Sequence, residues 1–232
     1  MFSIIVPVLD ETVLINELIR HIRTQCSKSI DEIIIVDGDP QGTTIKAIQD
    51  KDVICIKAGK GRAFQMNAGA AAAHGQVLIF LHADTKLPPN AFRKIEQVLE
   101  NEKYVGGAFD LRINSDKLLL KLIAACASLR SRFNRIPYGD QAIFIRKSYF
   151  NKIGGFKEIT LMEDVDLMRR IKKRDDKIFI LRDQVKTSPR RWEKEGIIYT
   201  TLRNMVLINL FRFGVNPDKL GKYYKNNSVK EV

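Results

Sequence analysis

Four short apolar runs, rich in β-branched residues and not alternating with polar ones, each break off at charge. Ser3–Val8 precedes Asp10 and Glu11, Ile33–Val36 precedes Asp37, Val53–Ile56 precedes Lys60 and Arg62, and Val77–Leu81 precedes His82, Ala83, Asp84 and Thr85. Such a run reads as a strand buried on both faces, the habit of parallel sheets. The intervening stretches carry helical periodicity. Leu14, Ile15, Leu18, Ile19 and Ile22 make one stripe, Ala63–His74 is alanine-rich, and Phe92, Ile95, Val98 and Leu99 lie on one side of Asn90–Glu100. This alternation predicts an α/β fold, a mostly parallel sheet with helices on both faces. Ligands of such sheets sit beyond the carboxyl ends of the strands, where all four charged breaks fall.

The second half adds elements to the same sheet. Tyr104–Ile113 reads as a strand broken at Gly106–Gly107, and Ser115–Phe133 as a helix whose apolar side is Leu118, Leu119, Leu122, Ile123 and Cys126. Gln141–Arg146 is a strand, Leu161–Asp164 introduces a helix running to about Arg174, and Ile178–Leu181 and Val185–Thr187 are two short strands. Thr43–Asp50 reads as a short helix. The stretch 197–215 is apolar but holds Arg203, Asn204, Asn209 and Arg212, so it is amphipathic and too polar to span a bilayer. With no linker in view, 1–232 reads as a single domain: a first half that looks like a nucleotide half (1–113), an elaboration on the same sheet (114–192) and a helical, basic tail (193–232).

The net charge of +12 is concentrated late, for residues 169–232 hold 17 Lys and Arg against 7 Asp and Glu. That suits an anionic ligand or surface without deciding which. Cys26, Cys55 and Cys126 are widely spaced, which fits a reducing compartment and indicates neither zinc nor a disulfide framework. The N-terminus starts on a strand without the features of a signal peptide, so a cytoplasmic protein is expected.

A single strand-end carboxylate is often only a helix cap, and that alternative stays open for Asp10 and Asp37. Four charged breaks along one sheet edge instead describe a crevice. The glycines flanking Lys60 let backbone approach a ligand, and Lys60 or Arg62 could meet its phosphates, although the spacing of a P-loop is absent. Asp84 would be the carboxylate for a divalent cation. Asp164 or Glu163 could equally favour a helix N-terminus.

The order of these segments resembles a family-2 glycosyltransferase of GT-A, Rossmann-like fold with a C-terminal helical extension. The resemblance rests on Ser3–Glu11, Ile34–Gly38, Gly59–Ala63 with Met66–Gly69, Phe80–Thr85, Gly154–Phe156, Glu163–Leu167 and Arg191–Trp192. Within the family, His82–Thr85 with Tyr138–Gln141 resembles the small soluble subgroup labelled radical-SAM/selenodomain-associated transferases. The resemblance implies an inverting glycosyltransferase that uses Mg²⁺ or Mn²⁺ and a nucleoside diphosphate sugar, with UDP as the family default. It implies Asp164 as the general base and Asp84 as the metal ligand, with His82 as a second donor. Pro7, Asp10, Glu11, Asp37, Lys60, Arg62, Asp140, Gln141, Glu163, Arg191 and Trp192 are then the substrate-binding residues. Arg190 is a further candidate for the diphosphate, and Asp166 reads as structural.

Three departures qualify the match. His82 stands where the first acid of D-x-D is usual, Ser188 replaces the Gln of Q-x-x-R-W, and Asp39 sits where a small hydroxylated residue is common. With no spanning helix following, a processive polysaccharide synthase is disfavoured. The acceptor is unspecified; a lipid-linked one at the inner membrane face, with peripheral membrane contact, is one expectation, and a homodimer contact is another use for the same apolar stretches. The rival readings are a nucleotidyltransferase, suggested by Gly59–Arg62, and a basic nucleic-acid-binding module; the latter leaves the strand-end acids unexplained, so no nucleic acid partner is expected.

Overall fold

Strand β1 (Phe2–Val8) is the axis from which the sheet grows in both directions in this computed structural model, which describes residues 1–25 and 30–225. Cys26 and the last seven residues of the basic tail lie outside the described residues. On one side β1 pairs in parallel with β2 (Ile30–Asp37), and β2 in turn with β3 (Ile54–Lys57). On the other side it pairs in parallel with β4 (Val77–Phe80), so all four runs end at the same edge. Short β5 (Thr85–Lys86), β6 (Tyr104–Ile113), β7 (Ile143–Arg146) and β8 (Lys177–Thr187) complete an eight-stranded sheet in the order β3-β2-β1-β4-β7-β6-β8-β5. β7 runs antiparallel to both β4 and β6, whereas β8 is parallel to β6.

Residues of β1 alternate between the two cores, as a pleated strand requires. Ile4, Val6 and Val8 face α1 (Ile15–Gln25), α4 (Ala91–Leu99) and α5 (Leu118–Asn134). Ile5 faces the other way, toward α3 (Arg62–Ala72), α6 (Lys147–Lys152) and α7 (Glu163–Lys173). α8 (Arg190–Glu195), α9 (Ile197–Arg212) and α10 (Pro217–Lys225) follow the sheet, and Leu161, Leu207 and Leu220 form a small satellite core beneath them. At the amino edge of the sheet, opposite the charged breaks, buried Glu32 accepts from Ser3 Oγ at 2.6 Å and from the His74 amide. Burial alone would raise its pKa; these bonds, with that of the Gly75 amide, hold it below the usual value.

Several expectations are corrected. β6 runs unbroken through Gly106 and Gly107: a Cβ there would lie 2.3 Å from Phe144 O and 2.1 Å from Phe179 O respectively. The glycines thus admit the close approach of β7 and β8. The two short strands after residue 177 are one strand, with a register shift against β6 between Phe109 and Asp110. The helix at Thr43 ends at Lys46 as α2.

The largest correction concerns α5. Its packed face is Leu120, Ala124, Ser128 and Ser131, while Leu118, Leu119, Leu122 and Cys126 face solvent. Small residues let the helix lie against β6, where Ser128 Oγ accepts from the Leu111 amide at 2.9 Å. Counting apolar positions cannot reveal that choice. Among the described residues no helix is long and apolar enough to cross a membrane.

Candidate functional site

The loops at the carboxyl edge are held from beneath. Gln65 of α3 donates to Val8 O and Val36 O, both at 2.7 Å, tying the ends of β1 and β2 together. Asp37 is fully buried, and its oxygens accept from the amides of Asp39 at 2.9 Å, Thr44 at 3.0 Å and Ile45 at 3.3 Å. Its carboxylate therefore organises the loop into α2 instead of facing a ligand. A Cβ on the adjacent Gly38 would press at 3.0 Å on the Gln65 side-chain carboxamide, the group that ties β1 to β2.

Beyond β4 the chain turns so that Asp84 stands at the edge of the crevice, its side chain 26% exposed. Its backbone oxygen is held by the Ser188 amide at 3.2 Å, and Thr85 Oγ1 bonds Thr187 Oγ1 at 3.2 Å, which fixes the β5–β8 pairing. One carboxylate oxygen of Asp84 lies 3.7 Å from the Arg190 guanidinium, and that same guanidinium forks onto Glu11 at 2.9 and 3.1 Å. Glu11 is fixed in turn by Thr44 Oγ1, which accepts from its amide at 3.1 Å. Arg190 thus links the β1, β4 and β8 ends, and its positive charge sits where two carboxylates meet.

Gly139, in the turn Gly139–Gln141 before β7, joins this edge to α7. Its amide donates to Asp164 Oδ2 at 2.6 Å, and the Val165 amide donates to Asp164 Oδ1 at 2.7 Å. A Cβ on Gly139 would lie 2.9 Å from His82 Nε2 and 3.4 Å from Asp164 Oδ2, so glycine is needed for the β4 end and the α7 start to meet. Three acids crowd here. Burial, and then the charge of Asp164, pushes Glu163 up to about 7 and Asp140 up to about 6. Asp140 Oδ1 is buried without a hydrogen-bond partner. His82 is driven down to about 3 by burial and then by Arg62 and Arg191, so its imidazole is neutral.

Cations oppose the acids. Exposed Arg62 acts electrostatically on His82, Asp140, Glu163 and Arg191. Arg130 of α5 stacks 3.3 Å above the Tyr138 ring; burial pushes it down to about 10 against the pull of Asp140 and Asp164. Arg191 is also lowered, by burial and then by Arg62, and lies 4.7 Å from the Tyr224 ring. Arginines can neutralise a diphosphate, while Asp164, fixed by two amides, can take a proton.

Of the residues anticipated from sequence, the crevice brings together Glu11, Arg62, His82, Asp84, Asp140, Glu163, Asp164, Arg190 and Arg191. Gln141 does not join them: it is fully buried, donating to Phe109 O at 2.8 Å and accepting from Ser131 Oγ at 2.7 Å. Its place as a sugar contact is corrected to that of an internal strut. Pro7 lies within β1, Asp10 is exposed with φ 56°, and Lys60 is exposed on its loop. Trp192 packs against the core, with its Nε1 buried and unpartnered. Asp166 pairs with Arg170 at 2.7 Å and Lys157 at 3.2 Å, the structural place expected of it. Arg130, Gly139 and the Ser188 amide were not anticipated. Two are backbone contributions, and Arg130 sits in a helix whose packed face was misassigned.

For a cation, the donors present are few. Among the described residues no group of three or more His, Cys, Asp or Glu is arranged to hold a metal ion. At the end of β4 Asp84 offers a partly exposed carboxylate, so the site suits a hard cation only if ligand oxygens and water complete the shell.

The sequence matches the model of the family described as glycosyl transferase family 2 over residues 3–157. It is 26% identical over 193 residues to "Probable glycosyltransferase YdaM" of Bacillus subtilis, covering 73% of this chain and 46% of that protein. The chain spans about half the length of the curated relatives it matches. Among solved structures, the mannosyltransferase PcManGT of Pyrobaculum calidifontis, in complex with GDP-Man and Mn²⁺, superimposes with TM-score 0.66 at 16% identity, covering 93% of this chain and 65% of that one. Glucosyl-3-phosphoglycerate synthase of Mycobacterium tuberculosis, with Mg²⁺ and UDP, gives TM-score 0.61 at 15% identity over 93% and 80% of the two chains. At those identities the likeness establishes the fold, which is GT-A.

Proposed function

The chain belongs to glycosyl transferase family 2, and on that premise we propose that it transfers a sugar from a nucleoside diphosphate sugar to an acceptor hydroxyl with inversion at the anomeric carbon. The observation that carries this reading is the Gly139 junction, which sets a half-buried carboxylate, Asp164, beside the strand end that bears His82 and Asp84. Residues 1–113 would hold the donor and residues 114–192 the acceptor.

Asp164 is the catalytic base of the proposal. It takes the proton of the acceptor hydroxyl while the acceptor oxygen bonds to the anomeric carbon and the bond to the diphosphate oxygen breaks. Arg62 and Arg191, with Arg190 beside Asp84, receive the charge of the departing diphosphate. Glu11 holds Arg190 at that edge. Asp84 would hold Mg²⁺ or Mn²⁺, the ions carried by the solved relatives; bound there, the cation would supply electrostatic stabilisation of the leaving group. The proposal places the reaction in a reducing cytoplasm, and it includes an acceptor hydroxyl carried by a lipid, because α5 runs from the site to an exposed apolar face.

Incubation with UDP-, GDP- and CDP-sugars and Mn²⁺ tests this. Release of nucleoside diphosphate is expected from sugars of one base and not the others. No release and no transfer from any of them would overturn the assignment.

A further inference from the structure

Two helices of the second half turn apolar faces to solvent. On α5 these are Leu118 (81% exposed), Leu122, Leu129 and Phe133 (87% exposed), spaced four, seven and four residues apart along one side. On α9 they are Ile198 (67% exposed), Leu202, Met205 and Val206, and Phe213 just past its end is 86% exposed. Patches of this extent mark a surface that something covers. Both helices pack on the same core, α5 through Ile123 and Ala127 and α9 through Ile197.

Charge selects the occupant. Residues 117–135 carry five Lys and Arg and no Asp or Glu, with Lys121 paired to the exposed Asp116 and Arg132 to Asp110 just outside. Residues 197–225 carry five against a single acid, with Arg203 paired to Glu195. Lys117, Lys121, Arg135 and Arg212, all exposed, stand at the ends of the two helices. In an isologous pair these cations would face their own copies, and the chain already carries +12. An anionic lipid surface meets both features, accepting the apolar side chains into its interface and the basic rim among its phosphates.

We propose that the outer faces of α5 and α9 dock on an anionic lipid surface. The docked face reaches the site through Arg130, which stacks on Tyr138 and feels Asp140 and Asp164, and through Arg191 and Trp192, which lead into α9. A lipid-borne hydroxyl could then reach Asp164 without leaving the interface; that clause alone rests on the transferase reading.

Vesicle flotation tests the docking without any nucleotide. The protein should float with vesicles of mixed phosphatidylcholine and phosphatidylglycerol at low salt, and not with phosphatidylcholine alone. The double variant Phe133→Glu, Phe213→Glu, altered only at exposed positions, should keep the native melting temperature and lose binding by about tenfold or more. Three results would overturn the proposal: no flotation with the anionic vesicles, flotation unchanged in the double variant, or light scattering that shows a dimer which the double variant dissociates. Nucleoside diphosphate release, measured separately, bears on the transferase reading and leaves the docking result untouched.

Discussion

Asp164→Asn is expected to bind nucleoside diphosphate and metal as the native protein does, and to lose transfer by roughly 10²–10⁴-fold. The carboxylate receives the Gly139 amide at 2.6 Å and the Val165 amide at 2.7 Å, so its position is held by backbone. Asparagine keeps the shape and one accepting oxygen but not the basicity. A purely structural role, favouring the start of α7 through the helix dipole, would give a different signature. It would lower the melting temperature by the equivalent of about 1 kcal/mol and leave turnover per folded molecule unchanged. Measuring product formation and melting temperature on the same preparation separates the two.

Glu163→Gln is expected to stabilise the protein at pH 8 by about 1–3 kcal/mol, a shift of a few degrees in melting temperature. Its carboxyl is 5% exposed and its pKa is pushed up to about 7 by burial and then by Asp164. Between its unfolded value of 4.5 and about 7 the native state binds more protons than the unfolded chain. Native stability therefore falls as pH rises through that window, and the full cost is present above it. Glutamine carries no charge to desolvate, so the gain should be near zero at pH 4 and should grow toward pH 8. Asp140→Asn should show the same sign over the narrower span from 3.8 to about 6. A Glu163→Gln protein equally or less stable at pH 8 would contradict the placement of this acid. Such stored cost is characteristic of sites that hold function at the expense of stability.

Much of this was legible in the sequence, for physical reasons. Strands β1, β2 and β4 are buried on both faces, so their composition alone announces a parallel sheet, whereas β3, at the sheet's edge, is largely exposed despite its apolar run. The charged ends of all four define the crevice. Asp84, Asp164, Arg62 and Arg191 fall together because the topology gathers them. Asp37 and Gln141 show the limit. A polar residue at the correct place in a chain can spend every hydrogen bond inward, and only the partners reveal it. α5 shows another. Its bulkiest stripe faces solvent because small residues fit closer to β6, and periodicity gives a direction without its sign. Gly139 could not be found by pattern, since its contribution is an amide and an absent Cβ. The nucleotidyltransferase and nucleic-acid readings lose their ground to family membership.

The reading as a nucleotide-sugar site turns on Asp84: among the described residues no three His, Cys, Asp or Glu are grouped to hold a metal ion, so a cation at Asp84 would be shared with the ligand. Thermal unfolding of native protein and of Asp84→Asn, with UDP, GDP or CDP in Mn²⁺ or in EDTA, measures this directly. One diphosphate should raise the native melting temperature in Mn²⁺ by several degrees, less so in EDTA, and Asp84→Asn should lose the metal-dependent part alone. Identical shifts in Mn²⁺ and EDTA, or an Asp84→Asn protein that responds like the native one, would contradict the assignment of Asp84.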